Sequence, residues 1–218
     1  MKFAGFPEQA LIFYEGLEAD NSKPYWTDHK DAYESCVRAP MEALLTELEP
    51  EFGAGKMFRP YRDVRFSKDK TPYKTAAGAV IPAPGGAGVL YVQLSADGLR
   101  VAGGIYHAES DHVQRLRRAV VDDVTHAELD RALTGLRRGG YQVDGHRLTR
   151  TPRGYPADHP RAELLRHKSL YAGRNWEPAP WLHERTALTR VRTAWRAFGP
   201  LNSWLAGHVG ASAAAATG

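Results

Sequence analysis

The densest chemistry in this chain lies between Arg59 and Lys74, which reads Arg-Pro-Tyr-Arg-Asp-Val-Arg-Phe-Ser-Lys-Asp-Lys-Thr-Pro-Tyr-Lys. Arg59, Arg65, Lys68, Lys70, Tyr73 and Lys74 are the candidates to hold a ligand. A guanidinium offers a planar fork, an ammonium a compact charge and a phenol one more donor. Mixed donors around one turn suit a phosphate or a carboxylate. Asp63 stands two residues before Arg65, where it can orient the guanidinium. Ser67 and Asp69 can shape a tight loop through local hydrogen bonds, and Pro72 stiffens its exit. Arg62 has a different expected role. If residues 58–66 form a strand, Arg62 shares a face with Phe58, Pro60, Val64 and Phe66. A guanidinium in an apolar layer needs a carboxylate, and Glu34, Asp31 and Asp28 are the candidate partners.

The charge distribution sharpens this reading. The net charge over 218 residues is +4. Residues 1–55 hold 4 Lys and Arg against 11 Asp and Glu, whereas residues 56–74 hold 7 against 2. The chain has 21 Arg and only 8 Lys, yet Lys56, Lys68, Lys70 and Lys74 fall within this one stretch. An acidic lead-in therefore precedes a basic segment that attracts anions or docks on the lead-in itself.

Three readings stay open. The segment binds a small anionic ligand and is possibly catalytic, with the catalytic residues and the reaction unknown. Alternatively it is an ion-pair knot in a non-enzymatic scaffold or interaction module. Nucleic-acid binding is disfavoured, because it calls for a broader basic surface with aromatic platforms.

The segment resembles an uncharacterised bacterial family, also found within longer fungal proteins, with the pattern Arg-x-x-Arg-Asp-x-Arg-Phe-x-x-x-Asp/Asn-Lys-x-x-Tyr. Here the pattern falls on Arg59, Arg62, Asp63, Arg65, Phe66, Asp69, Lys70 and Tyr73. Asn21-Ser22-Lys23 with Trp26, His29 and Tyr33 is similar to the family too. So are Gly103 to Tyr106, and Arg150 to Tyr155 with His159-Pro160. The likeness spans most of residues 3–200. It is a domain of unknown function, so the resemblance implies kinship and assigns no catalytic residue.

Other candidates are weaker. His107, Glu109, Asp111 and His112 have spacings that could chelate a divalent metal, but acidic residues are also ordinary in a first helical turn, with Ser110 as the cap. The reading assigns no metal and no cofactor. His29 could act as a general base or simply pack on the Trp26/Tyr33 stripe. Cys36 has no partner motif and reads as a small buried residue. Gly85-Gly86-Ala87-Gly88 lacks the Lys-Ser/Thr of a phosphate loop and reads as a strand connection. The irregular segment around Arg153, Tyr155 and His159 could fold over the basic loop. Trp176, Trp181, Trp195 and Trp204 read as packing residues.

The elements that must position these groups follow from periodicity. Phe6, Ala10, Phe13 and Leu17 give a first amphipathic helix. Trp26, His29, Tyr33 and Val37 continue at helical spacing, and Pro40 restarts a helix through Leu48 that ends at Pro50 and Gly53. Lys74 to Ile81, then Val89 to Leu94 and Leu99 to Tyr106 around Asp97-Gly98, read as strands. Helices follow over residues 111–121 and from a Thr125–Glu128 capping box to Gly139. A hairpin around Asp144-Gly145, a short helix over 161–167 and a strand over 169–176 come next. A long helix over 181–198 breaks at Gly199-Pro200. The expectation is one α+β domain over residues 1–206, with a mostly antiparallel sheet built from hairpins and packed by N-terminal and C-terminal helices. Residues 207–218 read as a disordered tail. No apolar run reaches membrane-span length, no signal peptide is evident, and the single Cys36 excludes an internal disulfide. A cytoplasmic protein that does not engage a membrane is expected, with its oligomeric state open.

Overall fold

The computed structural model describes residues 2–65, 68–83 and 85–212. Phe66, Ser67, Pro84 and the last six tail residues lie outside them, and with them the strand-face reading of Phe66 and the loop-shaping role of Ser67. The fold is α+β with a mostly antiparallel six-stranded sheet in the order β1-β2-β3-β4-β6-β5. The chain forms two compact units. One comprises Met1–Ile81, Tyr91–Val101 and Asn175–Thr193, and the other Pro82–Leu90, Ala102–Arg174 and Ala194–Gly218.

The first unit opens with helix α1 (Glu8–Ala19), whose Ala10, Phe13 and Leu17 are buried as the periodicity predicts, with Tyr14 buried beside them. Ser22 caps α2 (Lys23–Asp28) by accepting the Tyr25 N–H, and the one-turn α3 (Lys30–Ala32) follows. Phe13 meets Trp26 and Tyr33 edge-on or tilted, with ring centroids 5.9 and 5.7 Å away. The chain then widens into a π-helical segment, Tyr33–Arg38, where the Ala39 N–H donates back to the Glu34 carbonyl. Pro40 supplies a reason. In a regular α-turn its ring clashes with the Cys36 carbonyl four residues back, and a wider turn relieves that contact. The helix therefore continues into α4 (Ala39–Phe52) where the sequence suggests a restart at Pro40, and it runs through Pro50 before Gly53 ends it at φ +94°.

Strand β1 (Lys56–Met57) pairs antiparallel with β2 (Ala76–Pro82), Lys56 opposite Val80. Strands β3 (Val89–Ser95) and β4 (Gly98–Ile105) form the hairpin expected at Asp97-Gly98, with Gly98 at φ +105°. The expected strand over residues 58–66 does not form. Its described part is irregular, joined to the chain beyond it by one bridge between Tyr61 and Tyr73. There Arg62 N–H donates to the Pro72 carbonyl and Lys74 N–H to the Pro60 carbonyl, both at 2.8 Å. Pro60 has no N–H to extend a ladder, and the charged residues find no apolar face to bury.

In the second unit, α5 (Ser110–Val121) is capped by Glu109, not Ser110, in a reciprocal box with His112. Helix α6 (Asp123–Arg138) starts at the Asp122 cap, ahead of the expected Thr125–Glu128 box. Asp122 is the better cap because its carboxylate accepts both the Val124 and Thr125 N–H groups. Val121, at the end of α5, is 37% exposed. β5 (Gln142–Asp144) pairs with β6 (Leu170–Trp176), so the hairpin expected around Asp144-Gly145 is replaced by a long connection through α7 (Ala162–Leu165).

Helix α8 (Thr186–His208) follows the 3₁₀ turn Pro180–His183 and passes through Gly199-Pro200 without ending. A mid-helix proline costs about 3 kcal/mol. Burial of Leu201, Trp204 and Leu205 beyond it offsets that cost. Gly207 and His208 belong to α8. After it, Val209 is buried, the Ser212 hydroxyl donates to Asp111 at 2.8 Å, and Arg115 donates to the Val209 and Ala211 carbonyls. No helix among the described residues is long and apolar enough to cross a membrane.

Candidate functional site

The basic segment is pinned at its far end. Asn21 grips the backbone of Tyr73 from both sides, its amide donating to the Tyr73 carbonyl at 3.1 Å while its oxygen accepts the Tyr73 N–H at 3.0 Å. Trp26 stacks on the Tyr73 ring, 4.4 Å between centroids and 8° between planes. Tyr73 is 5% exposed, and burial pushes its hydroxyl above the ordinary range. It anchors the loop, in contrast to the expected donor to a ligand.

Between these pins the charges sort into engaged and free. Arg65 makes a two-pronged pair with Asp63, Nε to Oδ1 at 2.9 Å and NH2 to Oδ2 at 2.7 Å. That pair, with the Arg65 N–H, holds the Asp63 carboxyl below its usual value. The orienting role read from the spacing is thus present. Arg62 pairs with Asp69 and Thr71. Its side chain is 39% exposed, so it is not the buried anchor expected above, and Glu34 pairs instead with Arg38 at 3.3 Å. The cause is the missing strand: without an apolar face over residues 58–66, Arg62 stays near water and takes the nearest carboxylate. Asp69 also accepts the Thr71 N–H and hydroxyl, at 2.9 and 2.7 Å, and these bonds, the N–H first, lower its pKa. It shapes the loop as expected.

The lysines divide. Lys70 Nζ donates to the Val64 carbonyl and Lys74 Nζ to the Arg59 carbonyl, both at 2.9 Å. Lys74 also sits 5.2 Å over the Phe58 ring. Burial, then the nearby Arg59 charge, holds its ammonium below the ordinary lysine value. Among the described residues, Lys56, Arg59 and Lys68 are exposed and make no ion pair.

Two of these three reach a concave surface. A cleft of about 640 Å³ is lined by Lys56, Arg59, Phe58 and Tyr61 from the basic segment, by Trp26 and Lys30, by Tyr33, Glu34 and Arg38 of the π-helical segment, and by Glu42, Thr46 and Glu49 of α4. Phe58 and Tyr61 are 39% and 49% exposed. Tyr33 is buried, and that burial, with the Glu34 charge beside it, pushes its phenol up to about 12. The volume lies within the range of small-molecule sites. Lys56 and the acidic wall escaped the sequence reading as site residues. Their one signal was the change from an acidic to a basic segment at Gly55.

The other candidates take structural parts. Asp111 accepts from His112 N–H and Arg115, His112 belongs to the helix cap, and no group of three or more His, Cys, Asp or Glu among the described residues is placed to hold a metal. His29 is exposed, stacked on Tyr25 with centroids 4.0 Å apart, and its Nδ1 donates to the Tyr25 carbonyl at 2.8 Å. Cys36 is half-buried with the Ser35 hydroxyl 3.5 Å from its sulfur. His159 accepts the Arg161 N–H at 3.0 Å in the second unit, which also holds Arg153 and Tyr155. Trp195 and Trp204 are buried, and Trp176 and Trp181 pack edge to face. In a second groove, about 530 Å³ between α6 and α8, Trp204 donates to the Thr125 carbonyl at 2.7 Å and His208 Nε2 lies 3.1 Å from Glu128.

A family described as conserved hypothetical protein (DUF2461) matches residues 9–204. No curated protein matches the chain, and no solved structure does.

Proposed function

The chain belongs to this family of conserved hypothetical proteins, a membership that carries no reaction with it, and from that premise we propose that it binds a small molecule by an anionic group, phosphate or carboxylate. Arg59 is the anchor, Lys56 stands beside it, and Lys74 adds positive potential through its contact with the Arg59 backbone. The observation that carries the proposal is two exposed cations, Lys56 and Arg59, that make no ion pair among the described residues and stand on the wall of an aromatic-lined cleft. A cation in a concave, partly apolar setting is less screened than one on an open surface and focuses anions. Residues 62–71 support that wall, since their engaged charges fix the loop. Catalysis is left open, because no nucleophile–base pair lies among the cleft residues.

A second reading has its own support. Asp63–Arg65, Asp69–Arg62–Thr71 and Lys70–Val64 form a self-satisfied knot. On that reading the segment is a scaffold or interaction surface with no small ligand. A thermal-shift screen with phosphorylated and carboxylated metabolites separates the two. Ligand at a hundred times its Kd stabilises the native state by about 2.7 kcal/mol. The binding reading expects some ligand to shift wild type, no shift in Arg59→Ala, and a retained shift in Lys70→Ala from a lower starting point. If no ligand in either class shifts wild type while Lys70→Ala lowers stability, the knot is the function of the segment. Nucleic-acid binding, the third reading, predicts an affinity that falls steeply with salt.

A further inference from the structure

The cleft carries unneutralised charge of both signs. On α4, Glu42, Thr46 and Glu49 recur at helical spacing and line it together. Arg38 straddles Glu34 and Glu42, at 3.3 and 2.8 Å. One guanidinium between two carboxylates leaves that trio negative, an excess that the exposed Lys30 on the same cleft wall offsets, so the negative charge left over is that of Glu49. Glu49, one turn or more further along, is exposed and makes no ion pair among the described residues. Lys56 and Arg59 line the same cleft, and no ion pair joins them to the acidic wall. Two opposite charges that do not close on each other leave room for a guest between them.

That arrangement discriminates among anions. A simple anion drawn to Lys56 and Arg59 meets repulsion from Glu49, and a simple cation at Glu49 meets the reverse. A ligand with both groups gains at each end, and charge complementarity of this kind sets specificity. Exposed Phe58 and Tyr61 border the same space and offer apolar ring faces. Resting on the anion-binding reading above, we infer that the ligand is dipolar. An anionic group sits at Lys56 and Arg59, a protonated amine sits at Glu49, and a flat apolar body joins them along Tyr61 and Phe58.

Calorimetric titration of the full chain with four probes tests this: inorganic phosphate, phenyl phosphate, tyramine phosphate and N-acetyltyramine phosphate. The last matches tyramine phosphate in the body but lacks the positive charge. The expected order in wild type has tyramine phosphate tightest, by about tenfold over phenyl phosphate and over the acetylated analogue, the size of one hydrogen bond to a charged group. Glu49→Gln removes that preference and leaves phenyl phosphate binding as it was or tighter. Glu49 is exposed, so the variant keeps the wild-type melting temperature, which is measured alongside. If phenyl phosphate binds in an Arg59-dependent way but tyramine phosphate gains nothing, or Glu49→Gln weakens all probes alike, the dipolar inference falls and the anion reading stands. If no probe binds, or binding survives Arg59→Ala, both fall.

Discussion

Glu47 gives the sharpest quantitative test of how the cleft wall is held. It lies on α4 between Thr46 and Glu49, yet it turns away from the cleft to a clamp. Its Oε1 accepts the Phe3 N–H at 2.7 Å and Arg185 NH1 at 2.9 Å, and its other oxygen takes Arg185 NH2. The same Arg185 NH1 donates to the Phe3 carbonyl at 2.8 Å. These bonds, Arg185 first and Phe3 second, bring the Glu47 pKa down from 4.5 to about 2. At about 1.4 kcal/mol per pKa unit, the shift sets a ceiling of roughly 3 kcal/mol. The Arg185 side chain is 55% exposed, so solvent screening brings the expected contribution to about 1.5 kcal/mol. A depressed folded pKa means the unfolded chain takes up the proton first. The contribution is therefore full above the ordinary carboxyl value of 4.5 and is lost as pH falls through about 2. Glu47→Gln keeps an acceptor for Phe3 but loses the charge. Urea unfolding at pH 7 should show the variant about 1.5 kcal/mol less stable, and by about pH 3 more than half of that gap should close. A gap of equal size at both pH values refutes the argument, because the clamp would then not act through the carboxylate charge.

Two further outcomes follow from the same geometry. Gly98 sits at φ +105°, and a Cβ there would come within 2.3 Å of the Trp176 carbonyl oxygen. Gly98→Ala should cost at least about 2 kcal/mol by denaturant midpoint, and an unmoved midpoint would show that the β3–β4 turn does not need the glycine. Lys74, held below the ordinary value of 10.5 by burial and then by Arg59, should acylate at lower pH than an ordinary lysine. Arg59→Ala should move that labelling profile upward, read by mass spectrometry on the Lys74 peptide, and a profile indifferent to Arg59 counts against their coupling.

The parts of the fold that the sequence predicts well are those fixed by local chemistry. Asp97-Gly98 marks its hairpin because the turn needs a positive φ and glycine supplies it. Phe13 and Leu17 mark α1 because one face must be buried. The misreadings share a different cause. Alternation over residues 58–66 looks like a strand, but a strand also needs N–H groups to donate to a neighbour, and Pro60 has none. Pro200 reads as a helix stop, yet the apolar residues after it hold α8 through the proline. Glu109 and Asp122 displace Ser110 and Thr125 as caps because side-chain reach, invisible in the residue order, decides which oxygen meets the N–H groups. At the site, the loop-shaping role of Asp69 and the orienting role of Asp63 were local and legible. Trp26 stacked on Tyr73 brings together residues dozens apart in sequence, and no periodicity encodes that.

On the proposed reading, the division of charge puts the binding role on one half of the basic segment. Residues 56–74 hold seven cations and two carboxylates, Asp63 and Asp69. Each carboxylate has an arginine within the loop, Arg65 and Arg62, and each is also bonded to backbone N–H groups there. Residues 62–71 are thus close to self-satisfied, and their ion pairs are exposed, the setting in which such pairs contribute least to stability. Their consequence is geometric: they fix a loop whose other end Tyr73 ties to Asn21 and Trp26. The positive surplus is therefore that of Lys56 and Arg59 before the loop, Lys68 and Lys70 on it and Lys74 at its end, and Lys70 and Lys74 are held on backbone carbonyls. Lys68 faces water, where a lone ammonium attracts little. Lys56 and Arg59 stand on a concave wall beside exposed aromatic rings, where the same charge acts at close range. On the proposed binding reading, residues 59–73 therefore serve chiefly as a brace, and a guest is expected at the cleft beside them.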